Sequence, residues 1–149
     1  MIRWVHLDAN VILRFLRNDD PEQLAQAAAV FRRARDDESF QLIVSAVTVL
    51  EVFYVLVRAY ALPRVEAAQV PIDLFSTGLL DSPDERILRD SLSLITSQRI
   101  SFGDAWIASS AEADGAEIAT FDHGLGAFRG RETPSNRVNF AASRARLQT

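Results

Sequence analysis

The feature that constrains this chain most is a repeated handover, in which a short apolar run passes directly into helical spacing with polar side chains at the join. Ile2 to Leu7 reads as a short strand, and Asn10 to Arg17 follows with apolar residues at Val11, Ile12, Leu13, Phe15 and Leu16. Phe40 to Val44 reads as a second strand, and Ala46 to Tyr60 runs helical behind it, almost wholly apolar. Short strands alternating with helices argue for an α/β domain built on a parallel sheet.

The rest of the chain continues the pattern. "NDDP" (Asn18 to Pro21) is a turn and helix start, with Pro21 in the first turn. Glu22 to Arg35 is an amphipathic helix with Leu24, Ala28 and Phe31 on one face, and "RRARDDE" (Arg32 to Glu38) is a solvated helix end and loop. Pro63 breaks the apolar helix, and Val65 to Phe75 forms another. Gly78 to Leu80 is a short third strand, "DSPDE" (Asp81 to Glu85) opens a helix to about Ser97, and "SFGD" opens one to Asp114. Ala116 to Thr120 reads as a strand, Gly124 to Phe128 as a helical turn and Val138 to Ala141 as a last strand. With no repeat and no linker, one domain is expected to fill residues 1–149.

Composition removes several chemistries. The net charge is −4, so a nucleic-acid contact has to come from a local arginine cluster. All 16 basic residues are arginine, which excludes a lysine Schiff base, a P-loop lysine and the lysine of a phosphoaspartate switch. An Asp-x-Asp phosphatase is disfavoured too, because the second position is Asn10. There is no cysteine, hence no disulfide, thiolate zinc site or cysteine nucleophile. The join after the first strand, "DAN", holds no glycine for a dinucleotide loop. "MIRWVHLDAN" lacks the apolar run of a signal peptide. Leu42 to Val57 is shorter than the roughly 20 residues that span a bilayer, and Glu51 interrupts it. A cytoplasmic protein with no membrane contact is expected.

In parallel α/β sheets, sites form beyond the carboxyl ends of the strands. Asp8 follows the first strand, Asp122 follows Ala116 to Thr120, Asp104 sits in a first helical turn, and Glu51 sits in the second turn after strand two. Each has a plain structural reading as well. Asp8 or Asn10 can cap a helix, Asp104 fits a capping box with Ser101, and Asp122 can start a turn. Glu51 can share a narrow solvated face with Thr48 and Arg58; otherwise it is a carboxylate in an apolar helix, costly unless paired or metal-bound. Gathered together, these acids make an oxygen-rich site suited to Mg²⁺ or Mn²⁺ and to phosphodiester hydrolysis.

These motifs carry a family resemblance. "LDANVILRFL" resembles the opening motif of PIN domains, "SAVTVLEVFYVL" their second motif with its acid at Glu51, and "SFGDAWIASSAEADGAEIATFDHGL" their third block. "RFLRNDDPEQLAQAAAVF" is similar to the VapC toxins of bacterial VapBC toxin–antitoxin pairs. The resemblance implies a three-layer α/β/α sandwich with a central parallel sheet of about five strands. It also implies a Mg²⁺-dependent endoribonuclease, with Mn²⁺ substituting, that forms a homodimer and is inhibited by a VapB-like antitoxin. Its acids fall on Asp8, Glu51, Asp104 and Asp122, with Asn10 or Thr120 in support. Position 9 is alanine where threonine or serine is common, and the tail from Arg129 onward matches less well.

RNA approaching such a pocket would meet arginine, for which Arg14, Arg17, Arg86, Arg99 and Arg129 are the candidates; each also reads as an ordinary solvated arginine. His123 is a candidate general base or a solvated turn residue, and His6 is packed or edge-exposed. The apolar surface of Phe15, Leu16, Leu24, Val30, Phe31, Tyr54 and Tyr60 either completes the core or docks a second copy or an antitoxin helix. The rival to the enzyme is a non-catalytic PIN-like scaffold that binds RNA or a protein.

Overall fold

A computed structural model describes residues 1–122 and residue 125 of the chain. The order is β1 (Arg3–His6), α1 (Ala9–Leu16), α2 (Pro21–Asp36), β2 (Phe40–Ile43) and α3 (Ala46–Arg58). There follow α4 (Arg64–Ser76), β3 (Leu80–Asp81), α5 (Glu85–Ser97) and α6 (Phe102–Asp114). The strands form one parallel sheet in the order β1-β2-β3, as expected of an α/β domain. Val5 lies opposite Leu42, and Leu42 opposite Leu80. The pairing runs on into the joins, since the Leu7 N–H donates to the Ile43 carbonyl and the Val44 N–H to that of Asp81, both at 2.9 Å.

Local chemistry sets the helix ends. Asp20 caps α2, accepting from the N–H groups of Glu22 and Gln23, with Pro21 in the first turn. At the far end, Asp37 accepts from the hydroxyl and the N–H of Ser39. Those two bonds hold its carboxyl below the usual carboxylate range. α4 tolerates Pro71 within its length, buried against the core at the cost of one helical N–H donor.

The core lies around α3, whose buried stripe is Val49, Val52, Phe53 and Leu56, the three- and four-residue spacing of one helix face. The same cluster holds Leu42 and Val44 from β2 and its join, Leu88 and Leu92 of α5, and Phe102 and Ala105 of α6. The Phe53 ring has no solvent exposure and lies 5.7 Å from that of Phe102. Most of the apolar surface that seemed excessive in the sequence is covered. Phe15 stacks on buried Phe31 at 4.3 Å, Arg17 lies 3.6 Å over the ring of Tyr60, and Arg58 covers Tyr54 at 4.8 Å. Of that set, Leu16 remains exposed.

The sheet is smaller than expected, with three strands among the described residues in place of about five. β3 is only two residues long and starts later than Gly78, because Gly78, at φ +73°, belongs to the turn that ends α4. Ala116 to Thr120, expected as a strand, joins no ladder. α6 ends at Gly115 in the left-handed conformation, and the Ala116 N–H closes back on the Ala111 carbonyl. The residues after it offer only Ile118 as a large apolar side chain, little to anchor a strand face. The expected strand at Val138 to Ala141 lies outside the described residues, as does the turn at Gly124 to Phe128 apart from buried Leu125.

Replacing Phe53 with alanine removes the ring on which α3 and α6 meet. A loss of about 3–5 kcal/mol is expected, the usual cost of emptying a buried aromatic position, read from the midpoint of urea unfolding.

Candidate acidic site

Because the three strands run the same way, their carboxyl ends open on one edge of the sheet. Asp8 stands at that edge. It is the N-cap of α1, with extended backbone (φ −80°, ψ 151°), and its Oδ2 accepts from the Asn10 N–H at 3.2 Å. The cap is therefore Asp8, and Asn10 serves it through its backbone. Both side chains are exposed, so capping leaves Asp8 open to solvent.

β2 delivers α3 to the same edge. Ser45 caps this helix, accepting from the Thr48 N–H at 3.2 Å, and its hydroxyl lies 3.0 Å from that of Thr48. One turn on, Glu51 is exposed on the face opposite the buried stripe, with Val47 below it at 72% exposure. Of the two sequence readings for Glu51, the solvated face is the one the structure adopts; it is not a carboxylate sunk in the core.

Asp104 lies in the first turn of α6 and is half-buried. Its N–H donates to the Ser101 hydroxyl at 3.1 Å, so serine caps as expected. The return bond of a capping box, from the acid to the cap's own N–H, is not formed among the described residues. The carboxylate thus stays at the positive end of the helix without being consumed by the cap. Asp122 is exposed; its N–H donates to the Thr120 hydroxyl at 3.0 Å and its Oδ1 accepts from the Leu125 N–H at 3.2 Å. Thr120 supports Asp122 directly.

Asp8, Glu51 and Asp104 make no ion pair with arginine among the described residues, whereas Asp19, Asp36, Asp37 and Glu85 do. The arginine candidates divide. Arg14 and Arg17 both reach Asp19, at 3.5 and 3.4 Å, around the carboxyl end of α1, away from Asp8. Arg86 is exposed in the first turn of α5, and Arg99 is exposed in the connection to α6. Arg129 and His123 lie outside the described residues, and His6 is exposed at the end of β1. Sequence reasoning passed over Asp81, which ends β3 at the same edge as Asp8. An acid directly after an apolar pair was the available signal, hidden by its place in "DSPDE".

A divalent cation tests the arrangement. In kind the donors suit one, being carboxylates without any thiol. In position they do not, because the described residues contain no group of three or more Asp, Glu or His that could hold a metal ion. Asp122 follows Ala116 to Thr120, which joins no strand ladder among the described residues.

The model of the PIN domain family matches residues 5–130. The chain belongs to the PIN domain family. Members of this family are generally metal-dependent nucleases that bind nucleic acid, and the match covers the motif-bearing part of the sequence. Comparison with curated proteins finds no significant relative. No helix of the described residues is long and apolar enough to cross a membrane.

Ser101→Ala removes the oxygen that holds the Asp104 N–H. It should cost about 1 kcal/mol and lower Tm by roughly 2–4 °C for a chain of this size, measured by calorimetry.

Proposed function

We propose that this PIN domain is an endoribonuclease toxin of the VapC type, hydrolysing RNA phosphodiester bonds with Mg²⁺, for which Mn²⁺ substitutes. In this reading Asp8, Glu51, Asp104 and Asp122 are the metal-binding and catalytic acids, supported by Asn10 and Thr120. The protein is a single cytoplasmic domain over residues 1–149 that acts as a homodimer and is held inactive by a VapB-like antitoxin.

One observation carries the reading. In a chain rich in arginine, Asp8, Glu51 and Asp104 keep solvent-accessible carboxylates outside the ion pairs of the described residues, each at the cap or in the first two turns of a helix. Asp8 and Asp104 are held through backbone N–H groups, which fixes the main chain at each acid and leaves the negative charge for a ligand. A cation bound by these acids would offset their charge and that of the RNA phosphates brought to it. Arg86 and Arg99, exposed and outside the ion pairs of the described residues, are better placed to meet that RNA than Arg14 and Arg17, which share Asp19.

Asn caps a helix about as well as Asp, so Asp8→Asn separates charge from capping. RNA cleavage by purified protein in Mg²⁺ should fall by on the order of 100-fold, the scale of losing one preorganised electrostatic group at a reacting phosphate, with Tm nearly unchanged. Asp104→Asn should do the same. Undiminished cleavage by both folded variants would remove the assignment. In cells, induction of the wild type but not of Asp8→Asn should arrest growth and produce discrete new RNA 5′ ends.

A non-catalytic scaffold is the alternative outcome, and metal binding separates the two. At a hundred times its Kd, Mn²⁺ should stabilise the nuclease by about 2.7 kcal/mol, an upward Tm shift that Asp8→Asn and Asp104→Asn diminish. A scaffold gives no shift.

A further inference from the structure

We propose that Arg17 acts as a strap: lying over Tyr60, it holds the connection between α3 and α4 in a strained left-handed turn at Ala61, and the turn relaxes when the strap is released. Ala61 has φ +51°, a positive value shared by no other residue but glycine among the described residues. An L side chain avoids that region because its Cβ crowds the following carbonyl oxygen, and glycine is the usual occupant after a helix end.

The hydrogen bonds around Ala61 show why the reversal falls there. α3 closes at Ala59, whose N–H donates to the Val55 carbonyl at 2.9 Å, and the Tyr60 N–H reaches the same carbonyl at 3.2 Å. The Leu62 N–H then turns back onto the Leu56 carbonyl at 3.0 Å. Pro63 follows with φ −52°, and a residue before proline is restricted to extended backbone. With Leu62 so restricted and the helix behind it regular, Ala61 takes the turn. Its own side chain is exposed, so no packing rewards an alanine at this position.

What offsets the strain lies on either side. Tyr60 and Leu62 both pack, half-buried, against the core. Arg17 sets its Cζ 3.6 Å from the centroid of the Tyr60 ring, closer than the 4.4 Å of Arg33 over Phe40. Arg17 is itself held. It is the C-cap of α1, its N–H donates to the Leu13 carbonyl at 3.1 Å, and its Nε lies 3.4 Å from Asp19. The end of α1 thus grips the end of α3 through one aromatic ring, a task suited to a planar guanidinium. Strained backbone persists only where its surroundings over-determine it. Leu62 fixes one side of Ala61 and the strap fixes the other. With Arg17 gone, Tyr60 swings, Ala61 returns to negative φ, and the bond from Leu62 to Leu56 opens.

The test is a cycle of wild type, Ala61→Gly, Arg17→Ala and the double variant, read by urea unfolding and by amide hydrogen exchange. In the wild-type background Ala61→Gly should raise the folded-to-unfolded ratio about three- to fivefold, the left-handed penalty of alanine less the extra freedom of glycine in the unfolded chain. In the Arg17→Ala background the turn has already relaxed, and the gain should shrink below about twofold. The Leu62 amide should exchange about tenfold faster or more in Arg17→Ala, while the Ala105 amide at the start of α6 stays unchanged. Equal gains from Ala61→Gly in both backgrounds, unchanged exchange at Leu62, or a uniform rise across all helices would overturn the proposal. Should Arg17→Ala not fold, Tyr60→Leu, which keeps an apolar side chain and loses the ring, carries the same comparisons.

Discussion

Parallel pairing of β2 with both neighbours sets the terms for everything else. Two strands running the same way cannot be joined by a tight turn, so each connection must cross the sheet through a helix. α1 and α2 make the first crossing and α3 and α4 the second. The apolar stripe of α3 and the buried side of β2 follow, since a crossing helix must cover the sheet it crosses. The same constraint puts every strand's carboxyl end on one edge. Leu7 and Val44 extend the ladder by one bond each beyond the strands, so the chain leaves that edge in a fixed direction at Asp8 and at Ser45.

What holds the acids there is largely backbone chemistry. Asp8 caps with its own carboxylate, while α3 and α6 are capped by serines and spare theirs. That difference matters for substitutions. An amide at position 8 keeps its helix and loses only charge, whereas alanine there removes both. At position 104 the carboxylate takes no part in the cap, so any loss on its neutralisation comes from chemistry at the site. Phe53 and Phe102 then set α3 against α6 by direct packing, the steadier kind of link in an interior that behaves as a close-packed solid.

Much of this was legible in the sequence because the signals were local and redundant. The turn at Asn18 to Pro21 and the pair Ser101 and Asp104 each marked a helix start that the structure keeps, and the almost wholly apolar run from Ala46 marked α3 as a buried helix, though not the Ser45 cap or which face is buried. Glu51 was ambiguous because its neighbours in sequence are apolar, although its neighbours on the helix surface include exposed Val47. Ala116 to Thr120 misled for another reason. A strand is defined by its partner, and a run of small residues with one isoleucine offers no face strong enough to select one. Gly78 gave a comparable error of one or two positions, since a glycine beside leucines can end a helix or begin a strand.

Among the described residues no three acids gather into a group that could hold a metal ion, and the sheet gives part of the reason. β1 is the outer strand of the described ladder, and Trp4 on it is 54% exposed. Among the described residues, the ladder flanks Asp8 on the β2 side alone. Asp122 follows a segment that joins no ladder among the described residues, and the turn with Thr120 and Leu125 contributes to its position. Asp104, by contrast, sits in the first turn of a helix whose first residue packs against Phe53, so its main chain is set by the core as well as by the Ser101 cap.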